Sequence, residues 1–349
     1  MEDAKVPITV SGLGSDSGWT AKGKGGKMRR RLAMGLTAAL WVIAPRAWTQ
    51  SDLQGTVSIS GAWALYPMAV RWAEEFQKVQ PGVKFDVSAG GAGKGMTDAL
   101  TGAADIGLVS REVTDSERGK GAFPLAVAKD AVIPMMNPKN PAATELLRKG
   151  VKRETFAGIW IREDIKTWGQ AAGSDLKAPI RVYTRSDACG AAQTWAAYLG
   201  KSQEDLKGIG VYGDPGLAES VRRDPLAIGY NNVNYAYDAK TGRPVEGLAV
   251  VPLDVNGNGI LDTNENFYAT QKDLMAAIAR HDFPSPPARD LYFVTKGVPS
   301  KPAASAFIRW VLSDGQRYVT ESGYIHVAAE QLAAGLEKLG KTANATGGN

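Results

Sequence analysis

The chain is 349 residues long, enough for about two domains, with a formal charge of +5 and a sequence pI near 9.1. Residues 1–47 hold eight of the 41 Lys and Arg and three of the 36 Asp and Glu, leaving 33 of each in the remainder. That remainder is neutral, so the basic pI belongs to the leader and argues nothing for a nucleic-acid partner, and none is expected.

The surplus charge sits in a leader. Lys27 and Arg29 to Arg31 precede an apolar run from Leu32 to Ala44. The run falls short of the ~20 residues that span a bilayer and has the form of a secretory signal. Residues 28–47 are therefore expected to be a signal peptide cut after Ala44 or Ala47. Residues 1–27 are expected to be an unstructured extension, with Met28 an alternative initiator. No later apolar run is long enough to cross a membrane, so a soluble periplasmic or secreted protein is expected. Cys189 is the only cysteine, which rules out an intrachain disulfide and leaves no lipid-anchor cysteine at the end of the signal.

From Gly55 onward strand-like and helix-like segments alternate. "TVSIS" reads as a strand, and "ALYPMAVRWAEEFQKVQPG" as a helix whose Leu65, Ala69, Trp72 and Phe76 form one apolar face. "VKFDVSA" and "ADIGLVS" are strands around a "KGMTDALTG" helix, and "DAVIPMMNP" is a further strand. A basic helical region spans Thr144 to Trp160, followed by the strand "PIRVYTR" and the helix "GAAQTWAAYLG". "LAESVRRD" and "LAIGYNNV" make one more helix–strand pair. This alternation predicts an α/β protein with a parallel sheet, whose ligands sit at the carboxyl ends of strands.

The stretch "GGAGK" invites comparison with a nucleotide-binding P-loop. It fails two of the four fixed positions, because Ser88 stands where the first glycine belongs and Gly95 follows Lys94. It is read as a strand-to-helix turn with Lys94 in solvent. "SISGAWALYP", "VSAGGAGKGM" and "YTRSDACGAAQTW" share one form, a strand, a small-residue loop and a helix start. A fourth segment, "ADIGLVSRE", ends a strand on Ser110 and Arg111. Helix N-termini converging on one cleft offer backbone donors to a small anion, and Arg185 adds a guanidinium.

The motif order "SGAWALYPMAVRWAEEF … GGAGKGM … GAADIGLVSRE … FAGIW … RSDACGA … AIGY" resembles the phosphate-binding proteins of phosphate ABC transporters (PstS-like), from Gly55 to about Ile325. The resemblance implies a type II periplasmic-binding-protein fold, with two α/β lobes joined by crossover strands. Lobe one would comprise residues 53–134 and 246–336 and lobe two residues 135–245, with 337–349 a disordered tail. It implies capture of a small oxyanion, phosphate in the family, for a membrane permease, by a monomer that performs no catalysis. The residues expected at the ligand are Ala62, Trp63 and Ala64, then Gly91, Ala92 and Gly93, then Ser110 and Arg111. Arg185, Asp187, Cys189, Gly190 and Ala191 complete the set.

This chain departs from the family at the loops. Ala62-Trp63, Ala92 and Cys189-Gly190-Ala191 stand where the family carries Ser and Thr hydroxyls. Each lost hydrogen bond to a buried charge costs ~1–3 kcal/mol, so another oxyanion or a small carboxylate is a rival ligand. An exported thiol enzyme using Cys189, a signalling receptor and a calcium-stabilised adhesion protein are rival classes. Asp187 either accepts a ligand proton or caps the following helix, and Asn231-Asn232 either line the cleft or form a turn. Arg289 is expected in an exposed salt bridge, the set Arg148, Lys149, Lys152 and Arg153 on a solvated face, and Trp160 and Trp168 in the core.

"DVNGNGILDTNE" matches the twelve-residue calcium loop D-x-[DN]-x-[DN]-G-x5-E at every fixed position. Asp254, Asn256 and Asn258 fill positions 1, 3 and 5, and Gly259 makes the turn. Ile260 offers its carbonyl, Asp262 a direct or water-mediated contact, and Glu265 a bidentate carboxylate. The preceding "LAVVPL" reads as a strand, so the expectation is a lone structural Ca2+ site and not a paired sensor.

Overall fold

A computed structural model describes residues 53–340. The expected extension and signal peptide, residues 1–47, lie outside these residues, as do 341–349. Eleven strands follow one another along the chain: β1 (Gly55–Gly61), β2 (Val83–Ala89), β3 (Ile106–Val109), β4 (Ala122–Met136), β5 (Val151–Lys152) and β6 (Arg181–Arg185). They continue with β7 (Ile209–Val211), β8 (Ala227–Asn232), β9 (Ala249–Val250), β10 (Leu253–Asp254) and β11 (Ala288–Lys296). Nine of them form one sheet in the order β2-β1-β3-β11-β4-β8-β6-β7, with β9 added beside β4; β5 and β10 pair separately.

The sheet is mixed and not parallel throughout. β1 runs parallel to β2 and β3, and β6 parallel to β7 and β8, as the strand–helix alternation predicts. Between these parallel blocks, β4 and β11 run antiparallel to each other and to their neighbours. β11 escapes the sequence pattern because "FPSPPARDLYF" opens on prolines and carries a charged pair, Arg289-Asp290, on a strand whose Leu291 and Phe293 to Thr295 are buried.

β4 is 15 residues long and serves both ends of the sheet. Ala122 to Ala131 pair with β11, and Val132 to Met136 pair with β8. The buried side chains divide at the same place. Val57 to Ala128 and Leu291 to Leu339 make one core, while Ala131 to Ala288, joined by Ile325, make the other. Val250, Leu253, Phe267, Leu274 and Phe283 thus pack in the second core, whereas the expected lobe boundary assigns residues 246–336 to lobe one.

The helices follow their apolar spacing. Tyr66–Val79 carries Pro67 in its first turn, where a missing N–H is tolerated, and buries Ala69, Trp72 and Phe76 as expected. The region from Thr144 to Trp160 is not one helix. Gly150, at φ 73°, ends the Ala143–Lys149 helix, and β5, a short helix at Arg153–Ala157 and a π-turn at Gly158–Arg162 follow. Arg148 and Lys149 pair with Glu145 on the surface, and Trp160 and Trp168 are fully buried. The Ala329–Gly340 helix runs four residues into the expected tail, because Leu332, Leu336 and Leu339 repeat at helical spacing and pack on the first core.

The Ala92–Thr101 helix (which carries the glycine loop at its start) lies so close to β1 and β3 that no side chain fits between them. A Cβ at Gly95 would fall 2.4 Å from the Leu108 carbonyl oxygen and 2.8 Å from Gly61 Cα. Both obstacles are backbone, so Gly95→Ala should destabilise the protein by about 3 kcal/mol. A urea titration measures this, and the variant should lose stability without any change in the second core's aromatic signature.

Candidate functional site

Four strand ends meet across the division between the two cores. At the end of β1, the Gly61 carbonyl accepts from the N–H groups of Gly90 and Gly91, at 2.9 and 3.0 Å. These bonds turn the glycine loop back over the sheet. Gly91, at φ 93°, then caps the Ala92–Thr101 helix. The Gly93 N–H reaches across to the Ala188 carbonyl at 3.2 Å. Ser110, at the end of β3, lies against the start of the Gly190–Tyr198 helix so closely that a Cβ on Gly190 would fall 2.1 Å from its Oγ.

The first loop joins from the other side. The Trp63 indole packs on Gly213, where a Cβ would meet Cζ2 at 3.3 Å, and stands edge-on to Tyr212. Tyr235 and Tyr324 donate their hydroxyls to the carbonyls of Trp63 and Ala64, at 3.1 and 2.7 Å. The structure therefore brings Trp63, Gly91, Gly93, Ser110, Asp187, Cys189 and Gly190 close together where the loops meet, with Ala62, Ala64, Ala92 and Ala191 buried beside them. Arg111 stands at the edge. Its guanidinium is held by both oxygens of Glu117, at 2.7 and 2.9 Å, and it borders a groove beside the cleft.

Arg185 enters the cleft floor from β6 with its charge already matched. Nε and Nη2 donate to Asp187 at 2.8 and 2.6 Å, and Nη1 lies 3.0 Å from Asp214. All three side chains are under a tenth exposed. Burial alone would lower the arginine pKa, but Asp214 and Asp187 outweigh it and hold the guanidinium firmly charged. Burial pushes Asp214 above the usual carboxylate range, and Arg185 and Arg289 pull it back.

The network continues through residues that sequence reasoning placed elsewhere or passed over. Asn232 donates to Asp214 at 2.8 Å and accepts from Arg289. Arg289 binds Asp130 at 2.9 Å and the Thr194 hydroxyl at 2.9 Å. Asp130 and Arg289 face each other across β4 and β11 at the point where both strands pass between the cores. The expected Arg289 salt bridge exists, but it is buried, with side chains 6% and 2% exposed. An isolated aspartate in the apolar stretch "LAVAKDAVI" is the signal that marked this crossing. Asp214, in the first turn of the Gly213–Arg223 helix, was hidden by its resemblance to an ordinary helix start.

Cys189 caps the Gly190–Tyr198 helix, its Sγ accepting the Ala192 N–H at 3.4 Å. Burial pushes its thiol up to about 12, the opposite of what a nucleophile requires. The cap is thus cysteine, and Asp187 is an ion-pair partner instead. Gln203 holds the loop in place, accepting from Cys189 N and donating to the Asp187 carbonyl. Lys94 is exposed, as expected, and its ammonium also bonds Asp98 and the Ser60 hydroxyl, tying the glycine-loop helix to β1.

The Asp254–Glu265 segment forms a closed loop after β10. Asp254 is 2% exposed, and it accepts from the N–H groups of Gly257, Asn258 and Gly259. Glu265 is 3% exposed, and it accepts from Val255, Asn256 and Asp262. The Asn256 and Asn258 amides both donate to Asp262 at 2.8 Å. Among the described residues no three His, Cys, Asp or Glu side chains stand together closely enough to hold a metal alone. A cation here must complete its shell with asparagine and backbone oxygens.

Removing one member of the arginine network strands its partners. Arg185→Ala leaves Asp187 and Asp214 buried without their cation, which should cost about 3–5 kcal/mol of stability. Chemical denaturation of the variant checks it. Arg185→Lys, which keeps the charge and loses the fork, should fall between the two.

Comparisons with known proteins bear on the fold and the family. The PBP superfamily domain matches residues 47–315. The phosphate-binding protein PstS of Pseudomonas aeruginosa is 27% identical over 88% of this chain and 94% of its own length. Among solved structures, a phosphate-bound protein assigned as a phosphate ABC transporter substrate-binding protein, from Clostridium perfringens, aligns with TM-score 0.63 at 23% identity. That alignment covers 78% of this chain and all of that one. An ABC-type phosphate transport receptor from Vibrio cholerae aligns with TM-score 0.57 at 20% identity over 78% of this chain and all of its own. The fold is the type II periplasmic-binding-protein fold expected from the motif order, and the chain belongs to the PBP superfamily.

Proposed function

We propose that this protein is an exported solute receptor that captures a small oxyanion between two lobes and delivers it to an ABC importer, with phosphate the expected ligand. The observation that carries this reading is the meeting of Ser110 with the start of the Gly190–Tyr198 helix. Ser110 is 2% exposed, and among the described residues its hydroxyl has no hydrogen-bond partner. The N–H groups of Gly190 and Ala191 have none either. A helix N-terminus with free donors and a buried hydroxyl beside it suits an anion. The unpartnered, buried indole N–H of Trp63 is a further donor at the rim. Phosphate binding by the Pseudomonas relative and ABC transport by the Vibrio one support the same choice.

The protein acts as a monomer, without catalysis and without nucleic acid, in the periplasm or outside the cell. Burial raises the Cys189 thiol away from the range of a nucleophile, in keeping with a binding role. Closure of the lobes on the ligand, about β4 and β11, is the transport-competent step. Isothermal titration with phosphate, sulfate and small carboxylates tests the reading. Phosphate should bind, and Ser110→Ala should weaken it between about ten- and a hundredfold, the worth of one hydrogen bond to a charged partner. Failure of every anion to bind would overturn it.

A calcium ion in the Asp254–Glu265 loop is part of this proposal. Two carboxylates, Asp254 and Glu265, would combine with the Asn256 and Asn258 amide oxygens and the Ile260 carbonyl in a hard-oxygen shell, with Asp262 reached through water, since no three acidic side chains stand together there. The two buried carboxylates and the asparagine amides clustered on Asp262 support the reading. Calcium should raise the melting temperature of chelator-treated protein, magnesium should raise it less, and Glu265→Gln should remove most of the gain. Melting indifferent to calcium would leave the loop as a turn.

A further inference from the structure

We propose that the Asn256-Gly257 and Asn258-Gly259 pairs are a covalent modification site, where deamidation turns asparagine into aspartate, and that Asp254 holds the reaction off while the loop is closed. Of the chain's asparagines only these two precede glycine. Glycine after asparagine favours this chemistry, because no Cβ obstructs the backbone nitrogen that must attack. The Gly257 nitrogen attacks Cγ of Asn256, forming a C–N bond that closes a five-membered imide. The Gly257 proton leaves with the side-chain nitrogen as ammonia. Water then opens the imide at either carbonyl, giving aspartate or isoaspartate. Gly259 and Asn258 react in the same way, and water is the only co-reactant.

Solvent reaches both pairs. Asn256 and Asn258 are exposed, and a Cβ on Gly257 or Gly259 would meet nothing within 4 Å. A hollow of about 510 Å³ borders Asn256 and Gly257. The attacking nitrogens, however, are already engaged. The Gly257 N–H donates to Asp254 Oδ1 and the Gly259 N–H to Asp254 Oδ2, each at 2.8 Å. Asp254 is 2% exposed, so one buried, charged acceptor holds both. The side-chain carbonyls are fixed as well: Asn256 Oδ1 accepts from the Asn258 N–H at 2.9 Å, and Asn258 Oδ1 from the Ile260 N–H at 2.8 Å. Both leaving amides donate to Asp262. Imide formation must break these bonds, so it waits on local opening of the loop.

Conversion would change the loop itself. Its twelve residues carry three carboxylates, Asp254, Asp262 and Glu265, and no basic residue, so two conversions make five. Aspartate at position 256 or 258 has no amide hydrogen to give Asp262, and it sets a negative charge where a hydrogen bond stood. The modification therefore acts in one direction. Opening permits the reaction, and the product cannot close as the asparagine loop does.

Peptide mapping by mass spectrometry tests this on the full chain, held in mildly alkaline buffer with a chelator. In the folded chain the peptide spanning residues 254–265 should convert at least about tenfold more slowly than in urea, the worth of a hydrogen bond to a charged group. Asp254→Ala, shown to be folded by circular dichroism, should convert at close to the urea rate without denaturant. The double variant Asn256→Asp, Asn258→Asp carries the product from the start and should melt below the wild-type chain. Equal rates in the folded and urea-treated wild type would overturn the inference, whether or not Asp254→Ala folds. So would a folded Asp254→Ala that converts as slowly as the wild type, or faster conversion in urea at an asparagine outside the loop. A double variant that melts with the wild type would overturn the one-directional consequence. The chelator keeps calcium out of every arm and no anion is added, so the result stands apart from the function proposed above.

Discussion

Five ionisable groups buried together hold this protein's two halves in register. Asp187, Arg185 and Asp214 form one cluster under the cleft, Arg289 and Asp130 a second at the strand crossing, and Asn232 joins them. Buried charges are tolerated only when each is paired and its remaining hydrogen-bonding positions are filled. That requirement binds β6, β8, β4 and β11 to one arrangement, because no member can move away without leaving a partner uncompensated. A change in the cleft floor at Arg185 reaches the crossing through two side chains, Asp214 and Asn232.

The surface of the cleft is set by close backbone approach. Where Gly61, Gly95 and Gly107 stack between β1, β3 and the glycine-loop helix, carbonyl oxygens lie within 2.4 Å of where side chains would begin. Gly190 meets Ser110 under the same constraint. These contacts bring helix starts down onto strand ends and expose their N–H groups toward the division between the cores. Ala62, Ala92 and Ala191 bring no hydroxyl to these loops, so what the loops present is backbone.

Much of this was legible in the residues themselves. The apolar spacing of Leu65, Ala69, Trp72 and Phe76 specifies both the helix and its buried face, since packing of that face is what stabilises it. The strand–loop–helix repeats mark where helix starts press onto strand ends, because glycine and small residues are required wherever backbone approaches backbone. What remained hidden was tertiary. An arginine after a proline-rich loop carries no local sign that it will meet an aspartate 159 positions earlier. Nor does "RKGVKRETFAGIW" declare that Gly150 will adopt a left-handed φ and break a pattern that otherwise counts as helical. The segment from Leu248 to Ala288 shows the same limit, since its apolar residues would satisfy either core.

β11 lies between β3 and β4, yet it is made from residues 288–296, long after both of its neighbours. Until that segment arrives, β3 and β4 have open edges facing each other, and the first core lacks Leu291, Phe293, Phe307 and the terminal helix. Pairings so distant in sequence form late, because loop closure must precede the contacts that stabilise it. A chain emerging from its N-terminus would therefore present unfinished sheet edges through most of its synthesis. Early fragments would be vulnerable to aggregation and would stay extended until the last quarter of the sequence completed the sheet.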